Sequence, residues 1–355
     1  MIVIGSGSHS LKTTESEPSY GVYSFFKDHK DYILSFLNSI KNADQIILCN
    51  AGSNDGTLDL IESYIKENPD VNIRIVPVHI CPWRYDDVRN IGLALMSPSI
   101  DLCLCLDVEE TLVPDWRNIL NRYYNPKCTK YLYYAQIDQG NTAEIVQKDR
   151  IHRNRGCFWK YPVFEELIFK DTEKTVLIPH VIIKQKENID RNEIIPLLKR
   201  YIKEHPSSWI PLWRLAQAFM EKGRYPEANN ALEKALQLDK CNKAQVYTLK
   251  AQICAEQNLS EQALFYYDKA LSYKDTYEEK GQRNAMSICR DFRIYIEKAQ
   301  ILSSLGRHLE AYLNFVKAKA LQEQIKDEKL YFQYLSDLRP LIASEKELAR
   351  EELGI

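Results

Sequence analysis

The first half of the chain alternates short apolar runs with segments of helical spacing. The apolar, β-rich runs predict strands at 21–26, 45–49, 72–78 and 101–106, and the three-to-four-residue spacing between them predicts helices at 32–40, 57–66 and 87–96. The fourth strand is apolar throughout, as expected for a strand covered on both faces. Strands that alternate with helices predict an α/β domain with a mostly parallel, Rossmann-like sheet, and such sheets bind ligands outside the carboxyl ends of their strands.

From Arg191 onward the pattern is almost entirely helical, and it repeats. Ala228 and Ala263 are 35 positions apart, and Ala263 and Ala311 are 48 apart, which is one period plus a 14-residue insertion around 272–290. Small residues at a fixed period let paired helices approach closely. A period of this length resembles that of tetratricopeptide repeats, an all-α architecture. Three copies are predicted, with a capping helix or two in 327–353.

These two patterns divide the chain into three predicted parts. A tail rich in Ser, Gly and Thr covers 1–19, the α/β domain covers 20–188, and the helical repeat domain covers 189–355.

Composition and charge exclude several classes of function. The chain has 355 residues, of which 45% are hydrophobic and 27% charged, with 47 Lys and Arg against 49 Asp and Glu. A net charge of -2 lacks the bulk attraction that dominates non-specific nucleic-acid binding. No apolar run approaches the ~18 residues of a spanning helix, and the start of the chain does not have the pattern of a secretory signal. The nine cysteines include no Cys-x-x-Cys pair, so reduced thiols and a cytoplasmic protein are predicted.

Carboxylates follow the fourth predicted strand directly. Asp107, Glu109 and Glu110 come after Leu-Cys-Leu-Cys-Leu, and carboxylates cannot face a core unpaired, so they should project into the ligand crevice. Asp107 and Glu109 are suited to hold a hard divalent cation together with phosphate oxygens. The alternative for such a triplet is a helix N-cap or a solvated turn.

Five segments, taken in order, resemble the motifs of the inverting family 2 glycosyltransferases of GT-A fold. They are NAGSNDGT at 50–57, PWRYDDVRN at 82–90, LCLDVEE at 104–110, WKYPVFEE at 159–166 and PH at 179–180. With the trailing repeats, nearly the whole chain is similar to peptide S-glycosyltransferases of the sublancin type, which modify bacteriocins.

This resemblance implies transfer of a sugar from a nucleotide-diphosphate donor, with a UDP-sugar first among the candidates. It implies a Mn²⁺ or Mg²⁺ ion held by Asp107, Glu109 and His180, and Glu165 as the general base, with Glu166 left open as the alternative. The donor-binding residues that it implies are Ser24, Phe25, Asn50, Ser53, Asp55, Arg89 and Asp107.

At three positions the chain departs from the family pattern. Asn50 replaces an Asp that reads the base, Glu109 replaces an Asp at the metal, and Phe164 replaces a His beside the predicted base. Uridine recognition is therefore the least secure of these expectations.

Each of these residues also has a structural alternative. Asp55 could cap a helix, and Arg89 could be a surface ion-pair partner. His180 could be a core histidine and Glu165 a solvated carboxylate.

The repeats suggest an acceptor or a partner. Stacked helical hairpins form grooves that hold peptides or proteins, so the expected acceptor is a peptide or protein, and the repeats could also join subunits into a homo-oligomer. Two alternatives stay open. One is a catalytically inactive domain that serves as a protein-binding scaffold. The other is the same enzyme acting on a saccharide, a lipid head group or a modified nucleic acid.

Overall fold

The protein, represented by a computed structural model, is described at residues 17–138, 143–186, 194–273, 285–325 and 338–354. The chain divides into two units, 1–193 and 194–355. Nearly all of the predicted tail, and the predicted domain boundary at 188, lie outside the described residues.

The first unit is built around a mixed eight-stranded sheet with an additional two-stranded hairpin. The strands are β1 Tyr20–Phe26, β2 Gln45–Asn50, β3 Ile73–Pro77, β4 Leu102–Cys105, β5 Glu110–Leu112, β6 Lys130–Asp138, β7 Ala143–Arg153, β8 Cys157–Lys160, β9 Glu166–Phe169 and β10 Thr175–Lys186. The helices are α1 Ile33–Ile40, α2 Thr57–Glu67, α3 Tyr85–Ala94 and α4 Trp116–Tyr123.

The strand order is β3-β2-β1-β4-β7-β6-β10-β5, and β8 pairs with β9. Strands β1 to β4 run parallel, β7 is antiparallel to both β4 and β6, β10 is parallel to β6, and β5 is antiparallel to β10. The predicted α/β class with a mostly parallel core is confirmed. The strands after β4 were not predicted.

Alternation along the central strands supplies two apolar faces. In β2, Ile46 and Leu48 belong to the cluster that contains α1 and α2, whereas Ile47 and Cys49 belong to the cluster that contains α3 and the β8–β9 hairpin. In β4, Cys103 is a free, buried thiol on the α3 face, as the sequence predicted. Coverage of both faces explains why these strands read as continuous apolar runs.

The ligand crevice predicted for this class lies where the order of strands along the sheet reverses. Strands β2 and β3 lie on one side of β1, and β4 lies on the other side. The switch point is therefore between the carboxyl ends of β1 and β4. Helix α3 packs very closely against β1 here, because a Cβ atom added at Gly92 would lie 2.9 Å from Cδ2 of Tyr23. We call the space at the carboxyl ends of β1, β2 and β4 the crevice.

The second unit is all helical. Its helices are α5 Ile194–Glu204, α6 Ile210–Glu221, α7 Tyr225–Leu236, α8 Lys243–Glu256, α9 Ser260–Ser272, α10 Ala285–Ser304, α11 His308–Ile325 and α12 Arg339–Leu353. Helices α6–α7, α8–α9 and α10–α11 pack as three successive hairpins. The alanines at three repeated positions are completely buried, namely Ala216, Ala251, Ala299, Ala228, Ala263, Ala311, Ala235, Ala270 and Ala318. The predicted repeat is therefore confirmed, and most of the predicted insertion lies outside the described residues.

The turns inside the hairpins follow the same register. Gly223 and Gly306 have φ of 67° and 73°, and the equivalent residue of the middle hairpin is Asn258, with φ of 58°. A left-handed residue after the first helix of each pair is a common way to end a helix. Each hairpin therefore uses the same backbone device.

Among the described residues, no helix has the length and apolar character needed to cross a membrane.

Candidate active site

Hydrogen bonds join the two loops that follow β1 and β2. The backbone N–H of Asp28 donates to Ser53 Oγ at 2.9 Å, and the N–H of Asn54 donates back to Asp28 Oδ1 at 2.8 Å. Asp28 has φ of 57°, in the left-handed region that Asp tolerates better than most residues. One wall of the crevice is therefore fixed before any ligand binds, and Ser53, a predicted donor-binding residue, uses its hydroxyl in this frame.

Asp55 holds the beginning of α2. Its carboxylate accepts from the N–H of Thr57 at 2.9 Å and from the N–H of Lys30 at 3.0 Å. The hydroxyl of Thr57 also donates to it, and this hydrogen bond, with the backbone donors, lowers the pKa of Asp55 to about 2. Asp55 therefore holds the first residue of α2 from one position before the N-cap, Gly56, and its predicted role in donor binding stays a prediction.

Asn50, the last residue of β2, closes a tight turn with its side chain. Its Oδ1 accepts from the backbone N–H of Gly52 at 3.0 Å and of Ser53 at 2.9 Å. Its amide nitrogen has no hydrogen-bond partner among the described residues.

The carboxylates after β4 are paired with cations. Asp107 accepts from Arg89 Nη2 at 2.9 Å and from Arg150 Nη1, and Glu110, which is fully buried, pairs with Lys148. Burial opposes ionisation of Asp107, but the charges of Arg150 and Arg89 outweigh it and hold the pKa well below its ordinary value. The expectation that all three carboxylates project into the crevice is wrong for Glu110, which is fully buried and compensated by Lys148 and by the backbone N–H of Asp107.

Arg89 is the centre of this cluster. Its Nη2 donates to Asp107 at 2.9 Å, its Nε donates to Glu165 at 2.5 Å, and its Nη1 lies 2.9 Å from Cys105 Sγ. The guanidinium also lies 5.5 Å from the ring centroids of both Phe25 and Trp159. Its side chain is only 4% exposed, which excludes the surface ion pair considered from the sequence. One guanidinium therefore ties α3 to the end of β4 and to the turn before β9.

The structure separates the two candidate bases. Glu165 is half-buried and lies in the Arg89 cluster, whereas Glu166 is exposed and begins β9. The turn that carries Glu165 is strained, because Tyr161 and Phe164 have φ of 83° and 54°, in the region that favours glycine. Strain of this kind is common where a side chain must be presented at a functional site.

A buried polar chain stands behind the cluster. Trp159 Nε1 donates to Tyr23 Oη at 2.6 Å, and Tyr23 Oη lies 2.8 Å from His152 Nε2. The other ring nitrogen of His152 lies 2.8 Å from the carbonyl of Arg153, which can only accept. His152 Nδ1 therefore carries the proton, and Tyr23 donates to Nε2. Burial lowers the pKa of His152 to about 4, so the ring is neutral near pH 7.

Glu109 is held by a residue of the first loop. His29 Nε2 lies 2.8 Å from Glu109 Oε1. Burial lowers the pKa of His29, but the hydrogen bond and charge of Glu109 outweigh it, so the pKa is raised above 6.5. This contact links the loop after β1 to the loop after β4 across the crevice.

The predicted metal site has its carboxylates engaged by other side chains. Both oxygens of Asp107 accept from guanidinium groups, and one oxygen of Glu109 is held by His29. Within the described part of the chain, no three His, Cys, Asp or Glu side chains come together as a metal-binding group. The side chain of the third predicted ligand, His180, lies outside the described residues. In this arrangement the described carboxylates do not fit a metal ion, and the predicted ion stays a prediction.

The remaining predicted donor residues lie around β1. Phe25 is half-buried against Arg89. Ser24 is buried in the strand, and its hydroxyl lies 3.4 Å from the carbonyl of Phe25. The geometry brings Phe25 to the cluster and leaves Ser24 inside the sheet.

Sequence reasoning missed four residues of this region: His29, Lys148, Arg150 and His152. Lys148 and Arg150 both reach the acidic motif after β4, but β7 has an irregular register between residues 148 and 151, so this placement becomes visible only once β7 is known to pair with β4 and β6.

Comparisons with known proteins bear mainly on the second unit. Tetratricopeptide repeat family models match residues 190–253 and 244–277. A comparison with curated protein sequences finds no match.

Several solved structures are similar to the chain at low identity. S. aureus TarS 1–349 is 10% identical over 89% of this chain and 93% of its own, with a TM-score of 0.39. The mannosyltransferase PcManGT from Pyrobaculum calidifontis, solved with GDP-Man and Mn²⁺, is 13% identical over 73% and 89%, with a TM-score of 0.38. GalNAc-T7, solved with UDP, GalNAc and Mn²⁺, is 11% identical over 55% and 49%, with a TM-score of 0.39. At these scores the likeness assigns no activity to this chain, whose function has to be argued from its own residues.

Proposed function

We propose that the protein is an inverting glycosyltransferase that moves a sugar from a nucleotide-diphosphate donor to an acceptor bound with the help of the helical repeats. The observation that carries the proposal is the Arg89 cluster. One buried guanidinium joins Asp107 at the end of β4 to Glu165, in the crevice where a parallel sheet binds its ligand. The ordered sequence motifs, which resemble family 2 glycosyltransferases, agree with this position.

The donor side of the reaction needs positive charge. As the bond from the sugar to the diphosphate breaks, negative charge grows on the leaving oxygen, and preorganised cations stabilise it. Arg150 and Lys148 lie on the half of β7 that runs beside the end of β4, and both are only half-buried. We assign them to the diphosphate, with Arg89 kept in place by its two carboxylates.

The acceptor side needs a base on the other face of the sugar. The acceptor atom forms a bond to the anomeric carbon while the carbon–oxygen bond to the diphosphate breaks, and the acceptor proton passes to a carboxylate. Glu165 is assigned this role, because it lies within the cluster and Glu166 does not. Its shared hydrogen bond with Arg89 fixes its position.

The predicted binding of a Mn²⁺ or Mg²⁺ ion at Asp107 and Glu109 can be tested by measuring donor binding. Nucleotide diphosphate is titrated with and without Mn²⁺ into the native protein and into Asp107→Asn. Affinity that rises with Mn²⁺ only in the native protein supports the ion. If the affinity for nucleotide diphosphate does not depend on Mn²⁺, Arg150 and Lys148 are the groups that neutralise the charge of the diphosphate.

The acceptor assignment rests on the second unit. Because tetratricopeptide repeats commonly bind peptides or proteins, a peptide acceptor held by α6 to α11 is the proposal, and a cysteine acceptor of the sublancin type remains a finer prediction from the resemblance. A homo-oligomer formed through the repeats is the alternative use of this unit.

The adjacent carboxylates supply a matched pair for the decisive experiment. Donor turnover is measured by release of nucleotide diphosphate from labelled nucleotide sugars, for the native protein, Glu165→Gln and Glu166→Gln. Loss of the base lowers the rate by roughly 10²- to 10⁴-fold, so Glu165→Gln should fall by that factor and Glu166→Gln should change by less than about threefold. The reverse order would reassign the base. No turnover of any donor, with no nucleotide bound, would leave the scaffold alternative.

A further inference from the structure

We infer that Asn50 makes the donor site select a nucleobase whose Watson–Crick ring nitrogen accepts a hydrogen bond, as in cytosine and adenine, over one that carries an N–H there, as in uracil and guanine. The inference rests on the proposed function, and it changes the expected donor from a uridine to a cytidine or adenosine diphosphate sugar.

The orientation of the Asn50 amide is fixed by its own turn. Two backbone N–H groups, of Gly52 and Ser53, both point at one atom of the side chain, at 3.0 and 2.9 Å. Only the carbonyl oxygen of an amide can accept them, because the NH₂ group has no acceptor capacity. The exchange of oxygen and nitrogen that often makes an Asn ambiguous is therefore excluded here.

The amide nitrogen is consequently a donor without a partner among the described residues. Asn50 is half-exposed at the carboxyl end of β2, and its backbone is held in the sheet by the N–H of Val78 at 2.9 Å. A rigid, partly exposed NH₂ group at a ligand-binding edge is satisfied by a ligand that accepts.

The position of Asn50 fits the base end of a nucleotide. Strand β2 is separated from β4 by β1 alone, and neighbouring strands lie about 4.8 Å apart. Asn50 is therefore about 10 Å, two strand spacings, from the end of β4, and about 14 Å, three spacings, from β7, whose Arg150 side chain reaches back to Asp107 after β4. A nucleotide that places its diphosphate at Arg150 and lies across the carboxyl ends of β4, β1 and β2 brings its base to Asn50.

The chemistry at the ring nitrogen then discriminates. Cytosine and adenine present an unprotonated nitrogen flanked by an amino group, which accepts from Nδ2. Uracil and guanine present an N–H at that position, which would face another donor and leave two donors unpaired. An Asp at position 50 would reverse this pattern, because its second oxygen accepts where the NH₂ group donates.

The test compares binding of CDP and UDP, which carry the same diphosphate and ribose, to the native protein and to Asn50→Asp by isothermal titration calorimetry. Asp keeps an oxygen for the N–H groups of Gly52 and Ser53, so the turn is retained, which circular dichroism and thermal melting check. The native protein should bind CDP about tenfold more tightly than UDP, and Asn50→Asp should bind UDP about tenfold more tightly than CDP. In the same way, the native protein should bind ADP more tightly than GDP, and Asn50→Asp should bind GDP more tightly than ADP.

Equal affinity for CDP and UDP, or tighter UDP binding by the native protein, would overturn the inference while leaving the proposed function intact. An unchanged ratio in Asn50→Asp would show that residue 50 does not face the base. Failure of every nucleotide to bind the folded native protein would overturn the proposed function as well.

Discussion

Arg89→Met is the substitution that most directly tests the cluster as a physical unit. It removes the cation that faces both Asp107 and Glu165 while keeping most of the apolar stem between Phe25 and Trp159. Asp107 would retain Arg150, but Glu165 would lose the one cation with which it forms an ion pair among the described residues.

The magnitude follows from burial. Breaking a buried ion pair by removing one partner costs about 3–5 kcal/mol, because a charge is left without compensation. Glu165 and Asp107 are 12% and 21% exposed, and this solvent access reduces the expected loss to about 2–4 kcal/mol. Glu165→Gln keeps a hydrogen-bond acceptor and should cost about 1–2 kcal/mol.

The double variant isolates the interaction. When residue 165 is already the neutral Gln, removing Arg89 leaves only Asp107 with one cation fewer. The effects of Arg89→Met and Glu165→Gln on stability should therefore couple by about 1–3 kcal/mol. Arg117→Met provides the comparison at a more exposed pair, because Arg117 and Asp44 are 27% and 38% exposed, and the loss of this pair should cost about 1 kcal/mol.

Amide hydrogen exchange of α3, β8 and β9 is the appropriate assay, since a global melting curve would mix the two units of the chain. Additive effects of Arg89→Met and Glu165→Gln, within about 0.5 kcal/mol, would refute the idea that one guanidinium holds the two sides of the crevice together.

Three further predictions concern the surroundings of the site and the repeats. Because burial lowers the pKa of His152 from 6.5 to about 4, the unfolded chain binds a proton that the folded chain excludes. The free energy of unfolding of the first unit should therefore fall by about 1.4 kcal/mol per pH unit as the pH drops from 6.5 to 4. A pH series of urea denaturation, followed by amide hydrogen exchange of β1 and β4, should lack this slope in His152→Gln. Gly92→Ala should lower the stability of the first unit by about 1–3 kcal/mol in the same assay, because its Cβ meets the ring of Tyr23. Gly21→Ala should cost less, because its Cβ meets the flexible end of Met96, and an equal loss would contradict the packing described. Asn258→Gly should protect α8 and α9 from hydrogen exchange by up to about 1 kcal/mol, since glycine adopts the left-handed turn without strain, and lower protection would show that the Asn side chain stabilises the turn.

The sequence predicted those parts of the fold in which the pattern is local. Strands β1 to β4 and helices α1 to α3 were located to within a few residues, because apolar spacing along one segment reflects the face that this segment buries. The repeats were equally clear, since each hairpin contacts mainly its neighbours and so carries its own copy of the small-residue pattern.

The candidate site was predicted as a set of residues but not as an arrangement. The motifs named Arg89, Asp107 and Glu165 separately, and only the structure shows that one guanidinium joins them. The structure also shows that Asp55 is committed to the beginning of α2 and that Ser24 lies inside the sheet. A motif fixes the type of a side chain, whereas its partner depends on which elements pack together.

By itself, then, the sequence determined the α/β class, the repeat unit and the residues at the ends of the central strands, because each of these depends on neighbours along the chain. Only the tertiary structure decided that β7 lies between β4 and β6, which brings Lys148 and Arg150 to the acidic motif some forty residues earlier. The reason is physical: strand order is set by hydrogen bonds and packing between segments that are distant in sequence, and a strand carries no local signal that names its partner.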